Sequence, residues 1–165
     1  MSRTSLTRLT PEQVLPMLAA TPQRLAALTA EVPADCLETR PAPDEWSAND
    51  VLVHLRGCAD VWGDYIAAML AEDRPTLRGK DPRHWPKLAA YRELAFEPSL
   101  QDFARQRTAL LAVLGALAPD GWSRTATVTA WGTPYERSVL EYARRLARHE
   151  QPHIKQIERI VSALQ

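Results

Sequence analysis

The sequence predicts an all-α fold, a four-helix bundle in which one long crossover loop joins the second helix to the third. Four segments carry apolar residues at alternating steps of three and four, which is the spacing of one buried helix face. Each of these segments also begins at a residue type that caps helix N-termini. Because no segment reads as a convincing sheet, the four helices must bury their apolar faces against one another.

The first helix is predicted from Pro11 to about Ala30. Thr10 is its N-cap, Pro11 takes the first helical position, and Gln13 completes a capping box. The dipeptide Thr21-Pro22 repeats the start signal, so we expect a kink or a break there. The stretch 32–45 contains three prolines and no helical period, and it is predicted to be a loop.

The second helix begins after Ser47, with Asp50 three residues later as its capping partner. Its core-facing stripe consists of Val51, Leu55, Cys58, Trp62, Ile66 and Met69. Residues 73–98 are rich in proline and charge and form the predicted crossover loop, with one short helix near Lys87–Leu94. A loop of that length can run the length of a bundle.

The third helix is predicted to open at Ser99 and to end at 118–121. Its stripe is Leu100, Phe103, Leu110, Leu114 and Leu117, with Arg107 in the place of one core residue. Residues 124–130 then alternate in a way that allows an extended ribbon with 135–137, across Trp131–Thr133. Ser138 and Glu141 form a second full capping box, from which the fourth helix runs to about Ala163.

Composition narrows the functional classes. A chain of 165 residues with 20 basic and 20 acidic side chains is predicted to be one domain, 1–165, with no nucleic-acid footprint. Its apolar runs are too short to cross a membrane, and Met1–Ala20 lacks the apolar stretch of a signal peptide, so we expect a cytoplasmic protein. Cys36 and Cys58 are then expected to be free thiols.

Three histidines form the candidate site. His149 and His153 are four residues apart on the fourth helix, so both imidazoles lie on one face and can bind one cation. The same spacing also occurs on solvated helix faces. Pro152 lies between them and removes the helical hydrogen bond to the carbonyl of Arg148, which predicts a bend. His54 on the second helix is the best third ligand, although a buried histidine bonded to a neighbour is the commoner role.

Two sequence motifs of this chain, taken together, resemble those of the DinB/YfiT family of metalloenzymes. The first motif is Glu45-Trp46-Ser47 followed by His54-Leu55, and the second is His149-x-x-x-His153-x-x-Gln156-Ile157 near the C-terminus. The resemblance covers nearly the whole chain and implies a four-helix bundle, often a homodimer, with a divalent metal held by three histidines. Those ligands would here be His54, His149 and His153. The chain departs from many members at Pro152, where another histidine often stands.

Three neutral imidazoles leave coordination positions open, which is typical of a catalytic site. Imidazole suits zinc, nickel, iron or copper, and we expect zinc, nickel or iron here. The resemblance favours an S-transferase that acts on small-molecule electrophiles with a thiol cosubstrate such as bacillithiol, mycothiol or glutathione. A metal-dependent hydrolase is the alternative, and a non-catalytic metal-binding stress-response module is a third reading.

Each candidate supporting residue has more than one possible role. Asp50 would orient a ring by accepting its free N–H or would only cap the first turn of its helix, and Gln156 would orient a ring or have no role at the site. Glu150 would accept a proton beside the metal or, as we favour, be a solvated surface charge. Arg107 must snorkel, pair with a carboxylate, or face a pocket for an anionic substrate. These last two are the candidate catalytic residues.

The other candidates lie near the predicted ligands or in the crossover loop. Cys58 is one turn from His54 and is either a fourth ligand or, as we favour, a small core residue. His84 lies in the crossover loop, either as a lid over the site or as an ordinary loop histidine. Trp62 and Tyr65 would line a pocket, although aromatic residues at helical spacing are usually core.

Overall fold

The computed structural model describes residues 9–130 and 132–164. Seven helices form within this part of the chain: α1 (Pro11–Thr29), α2 (Ala34–Glu38), α3 (Ala48–Ala71), α4 (Leu88–Arg92), α5 (Phe96–Gly115), α6 (Pro119–Ser123) and α7 (Val139–Ala163). The four long ones, α1, α3, α5 and α7, form the predicted four-helix bundle. The predictions made for Met1–Arg8 and for Trp131 fall on residues outside the described part of the chain.

The bundle is a closed ring of four helix contacts. Helix α3 packs against α7, α7 against α1, α1 against α5, and α5 against α3. The apolar faces predicted from the sequence meet in one core, whose largest fully buried side chains include Leu52, Leu55, Phe103, Leu146 and Ile154. Because α3 and α7 are neighbours in this ring, residues on their facing sides meet although they are distant in sequence.

Capping boxes fix where the site-bearing helices begin. Ser47 Oγ accepts from the Asp50 amide at 3.0 Å, and the Ser47 amide donates back to the Asp50 carboxylate at 3.1 Å. Ser138 and Glu141 do the same for α7, with the Ser138 amide 2.8 Å from the Glu141 carboxylate. Satisfying these otherwise free amides sets the helical register, and with it the direction of each histidine.

Several predicted boundaries are wrong. Helix α1 continues through Thr21-Pro22, so the break, one of the two alternatives expected there, does not occur. The predicted loop 32–45 contains the short helix α2. Helix α5 begins at Phe96, before Ser99, because Pro98 sits in the first turn, where its missing N–H costs no hydrogen bond. Ser99 Oγ instead accepts from Arg56 Nη1 at 2.9 Å. The third long helix ends at Gly115, earlier than predicted, and 119–123 forms the separate short helix α6.

A three-stranded sheet covers one end of the bundle. The predicted ribbon is present: β2 (Thr125–Thr129) pairs antiparallel with β3 (Tyr135–Ser138). The sequence did not predict β1 (Thr76–Arg78), which comes from the crossover loop and pairs parallel with β2. The loop therefore folds back over the bundle, continuing through a 3-10 turn at Pro82–His84 and the predicted short helix, here α4.

Candidate metal centre

The three histidines converge between α3 and α7. His54 lies on the second turn of α3, and His149 and His153 lie one turn apart on α7. One ring nitrogen from each lies within 4.8 Å of the other two. The Nε2 atoms of His54 and His149 are 3.1 Å apart, and the three ring centroids are 4.6–5.0 Å from one another. The sequence-predicted trio is therefore one cluster.

The cluster favours neutral imidazoles. Burial, helped by the positive charge that His153 and Arg83 would place nearby, lowers the pKa of His54 to about 4. Burial and the neighbouring histidines lower the pKa of His149 to about 3. At neutral pH both rings keep their lone pairs, which is the form that binds a cation.

Of the two candidate ring-orienting residues, Gln156 contacts a histidine and Asp50 takes its alternative role as a helix-capping residue. Gln156 Oε1 is 2.9 Å from His153 Nδ1, so Nδ1 carries the proton and the lone pair of His153 is on Nε2. Asp50 does not orient His54, because its carboxylate oxygens bind the Ser47 amide and Arg40 Nε at 3.0 Å. His149 Nδ1 is buried without a hydrogen-bond partner among the described residues.

Cys58 and two tryptophans surround the imidazoles. Cys58 is 2 % exposed, as expected of a core residue, but its Sγ lies 3.6 Å from His54 Nε2 and 3.9 Å from His149 Nε2. Burial raises the pKa of this thiol to about 12. The rings of Trp62 and His149 are nearly perpendicular, with centroids 5.0 Å apart, and Trp46 lies nearly parallel to the His153 ring at a centroid distance of 6.4 Å. Sequence reasoning did not place Trp46 beside the histidine cluster.

A cleft of about 1040 Å³ opens at His54 and His149. Trp62 and Tyr65 line it, as predicted, while also belonging to the core. Its charged lining is mostly basic: Lys80, Arg83, Arg137, Arg144, Arg145 and Arg148, against Asp81 and Glu141. The Arg145 guanidinium lies 4.7 Å from the centre of the Trp62 ring. This concentration of positive charge, which sequence reasoning did not anticipate, favours an anionic ligand.

A second cleft, of about 610 Å³, opens on the side of His153. It is lined by Trp46, Gln156 and Arg159 together with the acidic residues Asp44 and Glu45. The histidine cluster therefore borders two clefts that differ in charge.

The structure contradicts the surface reading of Glu150 and places neither Glu150 nor Arg107 in the lining of a cleft. Glu150 is 1 % exposed and is neither a surface charge nor part of either cleft lining. It forms an ion pair with Arg107, which is 2 % exposed, and it also accepts from Thr21 Oγ1 at 2.7 Å. Of the three alternatives for Arg107, pairing with a carboxylate is the one observed. Both residues tie helices together behind the histidines.

His84 is not part of the cluster. Its side chain is 82 % exposed, and Nδ1 lies 3.2 Å from Asp81 Oδ2, so it is an ordinary loop histidine. Its neighbours Asp81, Pro82 and Arg83 nevertheless line the basic cleft. The crossover loop thus contributes a wall of the site through residues other than the predicted one.

Comparison with known proteins agrees with this architecture. A family model described as the DinB superfamily matches residues 17–157. A solved structure of YfiT from Bacillus subtilis, described as a probable metal-dependent hydrolase with an unusual four-helix bundle topology, superposes with a TM-score of 0.79 at 17% identity. The match covers 99% of this chain and 90% of YfiT. No curated protein sequence matches the chain.

The fold and the site define a four-helix bundle with a three-histidine cluster at a helix–helix junction. Because the family model spans most of its length, the chain belongs to the DinB superfamily.

The donor set fits a divalent ion. Zinc-bound imidazole nitrogens in tetrahedral geometry lie roughly 3.3 Å apart, close to the 3.1 Å between the Nε2 atoms of His54 and His149.

Within the described residues, no helix combines the length and the apolar character needed to cross a membrane.

Proposed function

We propose that the protein is a divalent-metal-dependent enzyme that holds its ion with His54, His149 and His153. The convergence of three imidazoles, two of which line the basic cleft, carries this proposal. A bound ion of this kind supplies Lewis acidity, which lowers the pKa of a coordinated thiol or water toward neutrality. Fewer than four protein ligands would leave room for that coordination.

The favoured reaction is transfer of a low-molecular-weight thiol to a small electrophile. Bacillithiol and glutathione carry carboxylates, whereas mycothiol carries none. The exposed guanidinium groups of Arg145 and Arg148 lie in the same cleft as His54 and His149, so they would bind the carboxylates while the sulfur points at the imidazoles. This arrangement favours the two anionic thiols. Trp62 and Tyr65 would offer an apolar wall to the electrophile.

The test is turnover by protein loaded with zinc, nickel or iron(II). Wild-type protein, a thiol and a chromogenic electrophile are mixed, and the rate is compared with those of His54→Ala and His84→Ala. We expect turnover with glutathione or bacillithiol, loss in His54→Ala, and retention in His84→Ala, since His84 is exposed and outside the cluster. Absence of turnover with every thiol and every metal would reject the transferase.

Metal-dependent hydrolysis is the second candidate, favoured by the likeness to YfiT, which is described as a probable metal-dependent hydrolase. The same histidines would then activate water. Cleavage of esters or amides without added thiol, lost in His54→Ala, would select this reaction. If chelation lowers stability while neither reaction occurs, the non-catalytic metal-binding module gains support.

Two predictions about organisation accompany this proposal. We propose that the chain 1–165 is a single domain and that it forms the homodimer implied by the family resemblance. Size-exclusion chromatography with light scattering distinguishes a mass near 37 kDa (twice 18.5 kDa) from that of one chain. A single cooperative unfolding transition is expected of one domain.

A further inference from the structure

The thiol of Cys58 lies close to the ring nitrogens of two of the three clustered histidines. Its Sγ lies 3.6 Å from His54 Nε2 and 3.9 Å from His149 Nε2, and these two nitrogens are 3.1 Å from each other. The three atoms form a compact triangle of one sulfur and two imidazole nitrogens. Cys58 also lines the basic cleft beside both histidines.

These separations match those of atoms that share one metal ion. Zinc binds sulfur at about 2.3 Å and imidazole nitrogen at about 2.0–2.1 Å, so a tetrahedral ion places a sulfur ligand roughly 3.6 Å from a nitrogen ligand. The two observed sulfur–nitrogen distances lie within a few tenths of an ångström of that value. A single ion can therefore contact Cys58 together with His54 and His149. Cys58 is not in the group whose donor atoms all lie within 4.8 Å of one another, so a centre that also includes His153 requires the sulfur and the His153 ring to move closer together.

The helix explains why the sulfur is placed there. Cys58 follows His54 by four residues on α3, so both side chains lie on the same face, one turn apart. That face is directed at α7, which carries His149. The same spacing relates His149 and His153 on α7, so each of the two helices would offer ligands at positions i and i+4.

We propose that Cys58 is a fourth protein ligand of the ion, which makes the site a three-nitrogen, one-sulfur centre. This inference rests on the proposed metal site. On binding, the sulfur–hydrogen bond breaks, a sulfur–metal bond forms, and one proton leaves to solvent, with no change of oxidation state. Cys58 is then a ligand as well as part of the core.

A thiolate ligand changes what the site selects and how it works. Mixed imidazole and thiolate sites favour zinc and cobalt(II) over magnesium, calcium or manganese, which prefer oxygen ligands. Four protein ligands close a tetrahedral resting site. A thiol cosubstrate must then either displace Cys58 or enter as a fifth ligand.

Cobalt(II) substitution tests the sulfur ligand without relying on activity. Cobalt bound to thiolate absorbs in the near ultraviolet by sulfur-to-metal charge transfer, whereas cobalt bound by imidazoles alone shows only weak visible bands. We expect the ultraviolet band in wild-type protein and in Cys36→Ser. It should be absent from Cys58→Ser and Cys58→Ala. Cys36 is the matched control because it is the chain's other cysteine and lies on α2, away from the cluster.

X-ray absorption of the zinc form provides a second readout, with a sulfur shell at about 2.3 Å expected in wild-type protein and lost in Cys58→Ser. Cobalt that binds wild-type protein with visible bands but no charge-transfer band would overturn the Cys58 inference and leave the histidine site intact. Failure of wild-type protein to bind zinc or cobalt at all would instead reject the proposed metal site. Far-ultraviolet circular dichroism of each variant verifies folding.

Discussion

Glu150 and Arg107 form an ion pair in which each side chain is only 2 % exposed, and Glu150 is adjacent in sequence to His149. Arg107 Nη1 also donates to the Leu18 carbonyl at 2.9 Å, and Thr21 donates to Glu150. The pair therefore joins α1, α5 and α7 directly behind the histidine cluster. Its charges are buried with several hydrogen bonds each, which is the condition under which a buried pair is tolerated.

Glu150→Gln should destabilise the protein strongly. The substitution leaves the Arg107 guanidinium buried without a charged partner, and breaking a buried pair on one side costs about 3–5 kcal/mol. The free energy of unfolding in urea is the measurement. Arg107→Met with Glu150→Met should recover much of the loss, because no buried charge then remains.

The matched control for this pair is Glu136→Gln. Glu136 pairs with Arg74, but their side chains are 53 % and 73 % exposed, so the change should be within about 1 kcal/mol. Equal losses in Glu136→Gln and Glu150→Gln would contradict the role given to burial.

Asp60→Ala should weaken the packing of the crossover loop against α3. The Asp60 carboxylate accepts from Trp85 Nε1 at 2.9 Å, from the Tyr91 hydroxyl and from Gln106 Nε2, so it joins the segment and α5 to α3. Without it these donors lose their acceptor, at a cost of about 1–3 kcal/mol. Hydrogen exchange of residues 79–92 should accelerate. Asp64→Ala, four residues further along α3, should have a much smaller effect, because its only contact with the segment is a half-exposed ion pair with Lys80.

Metal-free protein should lose stability as the pH falls from about 6.5 toward 3. The pKa values of His54 and His149 are about 4 and 3 in the fold, below the ordinary value of 6.5. In that window the unfolded chain binds protons that the folded chain does not, so acid favours unfolding. Urea unfolding in a chelator at several pH values measures the slope.

Replacing His149 with phenylalanine should flatten this pH dependence, since one of the two depressed groups is removed. His84→Ala is the control, because that imidazole is exposed. A wild-type stability that is constant between pH 7 and pH 4 would contradict the assignment of buried, neutral rings.

Arg145→Gln and Arg148→Gln should each weaken binding of glutathione by up to about fivefold, since an exposed charge pair contributes up to about 1 kcal/mol. The loss should shrink at high salt as the charges are screened. A neutral thiol should bind both variants and wild-type protein alike. Arg92→Gln, on α4 and outside the cleft lining, is the control. Identical affinities of all four proteins for glutathione would argue against an anionic cosubstrate in this cleft.

The helices were predictable because their signals are local. Capping partners such as Ser47 and Asp50 are three residues apart, and an apolar face is visible within one segment. Strand β1 was not predictable in this way. It needs a partner in β2, about 50 residues later in the chain, and a three-residue strand has too little pattern to indicate one.

The histidine cluster was predictable from the sequence, whereas its surroundings were not. The spacing of His149 and His153 and the family motif indicated the cluster, but the basic cleft gathers arginines from α7, β3 and the crossover loop, which only the tertiary fold brings together. The burial of Glu150 did have a signal. It continues the apolar stripe of Ala143, Leu146, Ile154 and Ile157, just as Arg107 interrupts that of α5, and two opposite charges on two buried stripes predict a pair.

Zinc binding by wild-type protein, His54→Ala and His84→Ala, followed by isothermal titration calorimetry, tests the central claim most directly. We expect one equivalent of zinc per chain in wild-type protein and in His84→Ala, and an affinity at least a hundredfold weaker in His54→Ala. Wild-type protein that binds no zinc, nickel or iron(II), or a His54→Ala variant that binds zinc as tightly as wild-type protein, would contradict it.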